Sequence, residues 1–421
     1  MENLELELEK NRQTEIVEPY KLPDGWKWTR LGDVADFIGG GTPDKSNHDY
    51  WNGIIPWASV KDIKGKFLFS TEDTITEIGL KESASNLCEK EGLILVTRIA
   101  PGKAIISKIQ TAINQDLKII QTKENKLLLK YFFDFYEDEI KNLSSGTTVK
   151  GIKLDVLEQI PFPLPPTLAE QQRIVNRIET MFSKLDQAQE KAQTVLDSFE
   201  TRKAAILHKA FSGQLKIDNE ELTIDDWEDT TIGECCKLGS GGTPLKSHPE
   251  YYENGNIPWL KTGEIDWNDI YDVEEKITNE GVENSSAKIF PAESVVVAMY
   301  GMGVTRGKAA IIKIPTTTNQ AVCVLQPNEK LNNRFLFYYF MCNYWQIREQ
   351  SVGGNQLNLS GKIIASFPIK LPPLNYQLSI VNFLDTVLEK ENRAKEAAQT
   401  VLDQIALLKK SILARAFRGE I

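Results

Sequence analysis

The sequence predicts an α+β protein with two domains of mixed sheet and helix. Two long antiparallel coiled-coil helices separate the domains, and an internal pseudo-two-fold repeat relates the two halves. Three observations predict this fold class: the chain repeats itself once, each copy opens with short β-rich runs among turn residues, and each copy closes with an apolar stripe of coiled-coil period. A chain of 421 residues is also too long for one ordinary core, so several packed units are expected.

The repeat is carried by short motifs that return in the same order. The copies are offset by 201 residues at their start, from Gly41 to Gly242, and by 206 residues at their end, from Phe211 to Phe417. Solenoid units are much shorter, roughly 20–50 residues, so this period indicates duplicated domains. The paired motifs are Gly41-Thr42-Pro43 and Gly242-Thr243-Pro244, Ile55-Pro56-Trp57 and Ile257-Pro258-Trp259, Asn114-Gln115 and Asn319-Gln320, and Leu164-Pro165-Pro166 and Leu371-Pro372-Pro373.

The first part of each copy is predicted to mix strands with helix. Apolar β-type runs such as 93–96 and 294–297 lie between clusters of Gly, Asn, Asp and Pro, which is typical of short strands joined by loops. Aromatic segments of helical character follow, at 127–136 and 335–345. The prolines from Pro161 to Pro166, and from Pro368 to Pro373, then favour extended chain and mark the end of each globular part.

The second part of each copy is predicted to be a long helix. Thr167 precedes Glu170 in a capping arrangement, and the 45 residues from Thr167 to Phe211 would form a rod of about 67 Å. Each rod carries an apolar stripe with one polar break, at Arg202 and at Glu391. The stripes could be buried against each other, as an antiparallel pair, or against their own globular domains. The stripe positions are Ile174, Ile178, Met181, Leu185, Ala188, Ala192, Val195, Phe199, Arg202 and Ile206, then Ile380, Leu384, Val387, Glu391, Ala394, Ala398, Val401, Ile405, Leu408 and Ile412.

These patterns divide the chain into five parts. Residues 1–20 are predicted to be an N-terminal tail, 21–166 and 214–373 the two mixed domains, and 167–213 and 374–421 the two spacer helices.

Composition limits the kind of protein. No stretch of roughly 18 apolar residues is present and the N-terminus is acidic, so a cytoplasmic location is expected. The five cysteines have no repeated C-x-x-C spacing, which predicts reduced thiols and no zinc site. The formal net charge of −10 argues against a protein that coats DNA without specificity.

Several local motifs resemble one protein family. Leu22-Pro23-x-Gly25-Trp26, the run from Gly40 to Pro43, and the proline segment leading into 170–175 are similar to the specificity (S) subunits of type I restriction-modification enzymes. The resemblance extends from about Leu22 to the end of the sequence. The second copy departs from it, reading Asn375-Tyr376-Gln377-Leu378-Ser379-Ile380-Val381 where the Glu-Gln-Gln-Arg run would stand.

The resemblance implies a function in DNA recognition. In that family, each of two target-recognition domains reads one half of an asymmetric bipartite site on double-stranded DNA. The helices set the spacing of the domains and dock two methyltransferase (modification) subunits, while separate restriction/translocase subunits move and cleave DNA. It also implies that this chain binds no cofactor, with S-adenosylmethionine, ATP and Mg²⁺ bound by the partner subunits.

The sequence lacks the motifs of an enzyme, which agrees with a non-catalytic subunit. Neither Gly102-Lys103-Ala104 nor Gly307-Lys308-Ala309 completes a phosphate-binding loop, and Phe37–Gly41 is interpreted as a glycine turn. Three histidines cannot supply a repeated metal or nucleophile system. The alternatives are a non-catalytic coiled-coil adaptor in a DNA-defence complex and a nuclease or methyltransferase that acts alone.

Basic, amide and serine side chains of the two copies are the candidate DNA-binding residues. Lys and Arg contact phosphates and guanine, and Asn and Gln pair with adenine. Trp57 and Trp259 are instead predicted to pack in the core. The candidates are Lys45, Ser46, Asn47, His48, Lys61, Arg98, Lys103, Lys150 and Lys153 in the first copy, and Lys246, Ser247, His248, Lys261, Arg306, Lys308, Asn355, Gln356 and Lys362 in the second.

Overall fold

The chain forms two compact units in a computed structural model that describes residue 16 and residues 18–146, 149–215, 224–301, 303–352 and 357–421. Unit 1 contains the chain up to Ala192 together with Thr400–Ile421, and unit 2 contains Gln193–Gln399. Each unit therefore combines a mixed domain with segments of both long helices. The five-part division stays a prediction.

Short strands make up most of the mixed domain of unit 1. Its strands, among the described residues, are β1 Lys27–Arg30, β2 Ala35–Gly39, β3 Trp51–Ala58, β4 Phe67–Leu68, β5 Asp73–Ile75, β6 Asn86–Cys88, β7 Gly92–Val96, β8 Ala104–Ser107, β9 Thr111–Ile113, β10 Leu117–Thr122 and β11 Pro161–Leu164. Its helices are α1 Leu31–Val34, α2 Glu77–Lys81, α3 Lys126–Leu143, α4 Leu154–Glu158 and the first part of α5 Leu168–Phe211.

Three sheets organise these strands. A five-stranded sheet has the order β2-β10-β7-β8-β4, a four-stranded sheet the order β5-β3-β9-β6, and β1 pairs with β11. All five residues of β7 are buried, which explains its continuous apolar sequence. The antiparallel pairing of Lys27–Arg30 with Pro161–Leu164 joins the beginning of the domain to its proline-rich end.

The core of unit 1 includes residues from both ends of the chain. The aromatic helix α3 is capped by Asn125, whose side chain accepts hydrogen bonds from the N–H groups of Leu127 and Leu128. The buried face of α3 packs with Ile174 and Ile178 of α5 and with Leu413, Ala416 and Phe417. The last turns of the second long helix therefore complete the core that the first 192 residues begin.

Unit 2 repeats the order of strands found in unit 1, among the residues that the structure describes. Its strands are β12 Glu228–Thr231, β13 Cys236–Ser240, β14 Ile257–Leu260, β15 Asp269–Ile270, β16 Lys276–Ile277, β17 Ile289–Phe290, β18 Val295–Ala298, β19 Ala309–Ile312, β20 Thr316–Thr318, β21 Val322–Pro327 and β22 Pro368–Leu371. Its helices are α6 Ile232–Cys235, α7 Asn279–Glu283, α8 Asn333–Cys342, α9 Tyr344–Glu349, α10 Gly361–Ser366 and the first part of α11 Leu374–Phe417.

The sheet topology of unit 2 reproduces that of unit 1. The sheet orders β13-β21-β18-β19-β15, β16-β14-β20-β17 and β12-β22 follow those of unit 1 when each strand number is raised by eleven. The predicted internal repeat and the mixture of sheet and helix are thus confirmed. One difference concerns the aromatic helix, which is continuous in unit 1 but is split at Asn343 into α8 and α9 in unit 2.

The segments of the two long helices run antiparallel in each unit, as predicted. In unit 1, Lys409 Nζ lies 2.6 Å from Asp186 Oδ1, and Arg173 donates to the carbonyl of Ile421 at 3.0 Å. In unit 2, Arg202 Nε lies 2.9 Å from Glu391 Oε2. The two polar breaks predicted in the stripes therefore pair with each other, so neither charge is left uncompensated in the helix seam.

The apolar stripes are buried less evenly than the sequence predicts. Ile174, Ile178, Ile380 and Leu384 are almost fully buried because the first turns of each helix pack against the mixed domain of the same unit. Further along, Leu408 remains 48% exposed. Each stripe is thus buried first against a mixed domain and then, further along the helix, against the other long helix. Because only two helices form this seam, residues at its flanks stay exposed to water.

The first turn of each long helix carries a buried glutamine. Gln171 accepts from the N–H of Asn125 at 2.8 Å, and Gln377 accepts from the N–H of Asn332 at the same distance. Both bonds join the long helix to the residue that caps the aromatic helix. The second copy therefore retains the buried glutamine of the Glu-Gln-Gln-Arg run, while the residues on both sides of it differ, including the buried Tyr376 in place of Glu170.

Among the residues that the structure describes, no helix has the length and apolar character needed to cross a membrane.

Candidate nucleic-acid interface

The repeated tryptophans hold the repeated glycine loops in place. Trp57 is 4% exposed and donates from Nε1 to the carbonyl of Gly41 at 3.2 Å. Trp259 is 3% exposed and donates to the carbonyl of Gly242 at 3.0 Å. The prediction that both pack in the core is confirmed, and their indole groups fix the start of the loops that carry the first candidate residues.

The repeated Asn-Gln motif fixes the same loops from the other side. Thr42 donates its hydroxyl hydrogen to Gln115 Oε1, and Thr243 donates to Gln320 Oε1 at 2.6 Å. The N–H of Asn114 donates to Ala58 at 3.0 Å, which attaches this motif to the end of β3. The repeated motifs therefore form contacts of the scaffold, whereas many side chains between these motifs differ between the two copies.

Three candidate loops meet in unit 1. Arg98 Nη1 lies 3.3 Å from Asp116 Oδ1, one residue after the glutamine that binds Thr42. The N–H of Ile99 donates to the carbonyl of Lys150 at 2.8 Å, and the N–H of Ile152 donates to the carbonyl of Thr97 at 2.9 Å. The structure therefore brings together the loops that begin at Thr42, Thr97 and Ser144.

Ile99 lies at this junction in a strained conformation. Its φ is 72°, in the left-handed region that a β-branched residue rarely adopts, and its side chain is 59% exposed. Strain of this kind persists where surrounding contacts impose it and is concentrated at functional sites. An exposed apolar side chain beside Arg98 suits contact with a thymine methyl group.

Replacing Ile99 with asparagine is expected to stabilise unit 1 by about 1 kcal/mol, because asparagine tolerates the left-handed conformation at lower cost. Thermal unfolding of the wild type and the variant measures the change. Ile78→Asn is the control, since Ile78 is also exposed but lies within helix α2, where φ is not positive. A melting temperature that falls as much as in the control would contradict the strain at Ile99.

The corresponding loops also meet in unit 2, with different side chains. The N–H of Met299 donates to the carbonyl of Ala321 at 2.9 Å, as the N–H of Thr97 does to Asp116 in unit 1. Arg306 donates from Nη1 to the carbonyl of Leu357, and no carboxylate among the described residues pairs with it. Burial lowers the pKa of the Arg306 guanidinium, and the positive charge of Arg348 lowers that pKa further.

Sequence reasoning missed Arg348, which lies on the short helix α9. Its Nη1 donates to the carbonyl of Arg306 at 2.6 Å and its Nη2 to the carbonyl of Gly303 at 2.8 Å. The candidates predicted from the sequence lie outside the long helical segments, whereas Arg348 lies on a helix. The sequence signal for Arg348 is its position, four residues after Tyr344 at the end of an aromatic segment of helical character.

Three of the predicted lysines pair with carboxylates, and a fourth lies beside a cavity. Lys61 lies 2.9 Å from Asp73, Lys261 lies 2.8 Å from Glu275, and Lys308 pairs with Asp266. Lys103 lines a cavity of about 930 Å³ whose other walls include side chains of α5. Their role in DNA binding stays a prediction.

The other candidates are mostly exposed. His248 Nδ1 lies 2.7 Å from Glu250 and its ring stacks on Tyr251, while Asn47 caps the turn at 48–50. Asn355 and Gln356 lie outside the described residues. The remaining exposed or half-exposed candidates are Lys45, Ser46, His48, Lys150, Lys153, Lys246, Ser247 and Lys362.

Comparison with known families identifies the repeat. A family model described as the type I restriction modification DNA specificity domain matches residues 23–196 and matches again at residues 224–402. The chain belongs to this specificity family. Both halves of this specificity protein match the same model, which agrees with the identical strand order of units 1 and 2.

Known specificity proteins are similar along most of the chain. The MjaIX specificity subunit of Methanocaldococcus jannaschii is 22% identical over 338 residues, which cover 77% of each protein. A solved chain from work on complex assembly and conformational transition of the type I R-M system has a TM-score of 0.75 at 20% identity, covering 96% of this chain and all of that one. The HsdS subunit of Thermoanaerobacter tengcongensis has a TM-score of 0.65 at 21% identity, covering 96% and 99%.

Membership of the specificity family confirms the resemblance drawn from the local motifs. The protein is a specificity subunit, a non-catalytic component of a type I restriction-modification system. The alternative of a coiled-coil adaptor is not favoured.

Proposed function

We propose that this subunit directs a type I restriction-modification complex to an asymmetric, bipartite site on double-stranded DNA. Each mixed domain reads one half-site. The observation that carries the proposal is that two units of identical strand order present different side chains at equivalent loops. Arg98 is paired with Asp116 in unit 1, whereas Ala321 stands at the position of Asp116 in unit 2.

The partners follow from this function. The long helices dock two methyltransferase (modification) subunits, restriction/translocase subunits join that core, and the helices set the spacing between the half-sites. We expect a spacing of about one helical turn, roughly 10 base pairs, because both domains must face the same side of the duplex. With a net charge of −10, the subunit leaves much of the phosphate binding to its partners.

This chain is expected to bind no cofactor itself. S-adenosylmethionine, ATP and Mg²⁺ belong to the partner subunits, and the assembled complex acts in the cytoplasm. The chain supplies sequence discrimination, the spacing of the half-sites and the docking surface, and the partner subunits supply the chemistry.

Co-expression with its methyltransferase subunit in an unmodified host, followed by genome-wide mapping of methylated adenine, is expected to give a single split motif. Arg98→Ala and Arg306→Ala, each in the full chain, should relax one half of that motif and leave the other intact. A lost base contact reduces discrimination roughly tenfold.

Two outcomes would contradict the proposal. A stable, soluble complex that adds no methylation would argue against a DNA reader. A motif in which either variant relaxes both halves equally would argue against independent reading by the two domains.

A further inference from the structure

The loop Gly303–Lys308 of unit 2 is held by side chains of the short helix α9. Tyr344 donates its hydroxyl hydrogen to the carbonyl of Val304, between the two carbonyls that Arg348 binds at 2.8 and 2.6 Å. Arg348 Nη1 also donates to Tyr344 Oη at 3.0 Å. Two side chains thus fix three carbonyl groups within four residues of loop.

The two side chains are themselves held by packing contacts. Ile347, between them in sequence, is fully buried and anchors the helix in the core of unit 2. The Arg348 guanidinium lies 5.2 Å from the ring centroid of Tyr344, and Tyr344 packs edge-to-face on Trp267 at 5.5 Å. Close packing of this kind is what keeps a binding group within the tolerance that recognition needs.

The backbone of the loop is adapted to this contact. Gly307 has a φ of 88°, and a Cβ atom there would lie 3.0 Å from Arg348 Cγ. Glycine is therefore required both by conformation and by the close approach of the arginine.

Arg306 is left with free hydrogen-bonding capacity at the same place. Its buried Nε has no partner among the described residues, and the same holds for the buried Ser351 Oγ and Asn358 Oδ1 nearby. Asn358 follows Leu357, whose carbonyl binds Arg306, and pairs with Val352. The Nη2 group of the half-exposed Arg306 also has no partner among the described residues, so the end of the guanidinium keeps donors for a ligand.

Unit 1 holds the equivalent loop differently. One main-chain contact is shared, because the N–H of Ile152 donates to the carbonyl of Thr97 in unit 1 and the N–H of Leu359 donates to the carbonyl of Met299 in unit 2. In unit 1 the N–H of Ile99 also donates to the carbonyl of Lys150. Lys141, which stands at the position of Arg348 along the aromatic helix, pairs only with Glu137 and Asp138 among the described residues. Among the described contacts, Lys141 therefore does not hold the loop of unit 1 in the way that Arg348 holds the loop of unit 2.

We infer that Tyr344 and Arg348 are positioning residues, which hold the loop Gly303–Lys308 so that Arg306 reads the edge of a base, guanine by preference, in the half-site of unit 2. Arginine binds O6 and N7 of guanine through two donors in a fixed geometry, so its backbone must be held firmly. This inference rests on the proposed function.

The test measures which half of the motif changes. Complexes of the full chain with its methyltransferase subunit are compared on DNA duplexes that carry single base changes in either half-site. Arg348→Ala is expected to reduce discrimination roughly tenfold at one base of the half-site that Arg306→Ala relaxes, and to leave the other half-site unchanged. Arg348→Lys should lose nearly as much, because an ammonium group cannot hold two carbonyls in one plane.

Matched variants separate positioning from folding. Tyr344→Phe removes one hydroxyl and keeps the ring, so it should cost two- to tenfold in the same half-site even if Arg348→Ala proves insoluble. Lys141→Ala is the control in unit 1 and should leave both half-sites unchanged.

Three outcomes would overturn the inference: equal loss in both half-sites, unchanged discrimination, or a uniform loss of affinity for every sequence, which would indicate a phosphate contact. Absence of a split motif with the wild-type subunit would instead refute the proposed function.

Discussion

Replacing Phe417 with alanine is expected to destabilise unit 1 by roughly 3–5 kcal/mol, the usual cost of removing a buried phenylalanine. The side chain is 1% exposed, stacks on Phe135 at 5.5 Å and meets Phe132 edge-to-face at 5.4 Å. Its backbone carbonyl also accepts a hydrogen bond from Tyr20 at 3.0 Å. Unfolding in urea, followed by tryptophan fluorescence, measures the loss.

Phe211 provides the matched comparison, because it occupies the same position one repeat earlier. It is only partly buried, against Phe335 and Tyr339 in unit 2. Phe211→Ala is therefore expected to cost about half as much as Phe417→Ala. Equal costs, or a larger cost for Phe211→Ala, would contradict the role of the last helical turns in the core of unit 1.

Replacing Gln377 with alanine is expected to destabilise unit 2 by about 3 kcal/mol, because buried polar groups would lose their partners. The side chain is fully buried. It accepts from the N–H of Asn332 and donates to the carbonyls of Lys330 and Pro372, each at 2.8 Å. The measurement is the free energy of unfolding in urea.

The neighbouring residue gives a control for Gln377→Ala. Leu378→Ala changes a side chain that is 44% exposed on the next helical position and should cost well under 1 kcal/mol. Gln171→Ala should reproduce the large effect in unit 1, where the side chain is 1% exposed and also bonds Glu124 at 2.6 Å. A small effect for both glutamines would refute their structural role.

The sequence was sufficient to predict the repeat, the mixed domains and the long helices, because each depends on a pattern that extends over many residues. The start of the first long helix could be predicted from only a few residues around Thr167. Its hydroxyl accepts from the N–H of Glu170 at 3.1 Å, as the predicted cap requires, and the helix begins at Leu168. Trp57 and Trp259 could also be predicted as core residues, because the same motif surrounds both and two domains with one framework need the same core side chains.

The details of the candidate interface depend on contacts that sequence spacing does not reveal. Lys61 is paired with Asp73, twelve residues away, and Arg348 reaches carbonyls more than 40 residues before it. The left-handed backbone of Ile99 is imposed by tertiary contacts and has no signature in a β-branched residue. Pairing and backbone strain of this kind are set only when the domain is assembled.

The completion of unit 1 by Thr400–Ile421 affects the order in which the protein can fold on the ribosome. The residues up to Ala192 are synthesised first, yet Leu413, Ala416 and Phe417, which fill their core, are synthesised after all of unit 2. Until these residues have been translated, at about 5–20 residues per second, part of the apolar surface of the nascent N-terminal domain stays uncovered. Unit 2 is continuous in sequence and is under no such delay, so chaperone dependence should be concentrated in the first half of the chain.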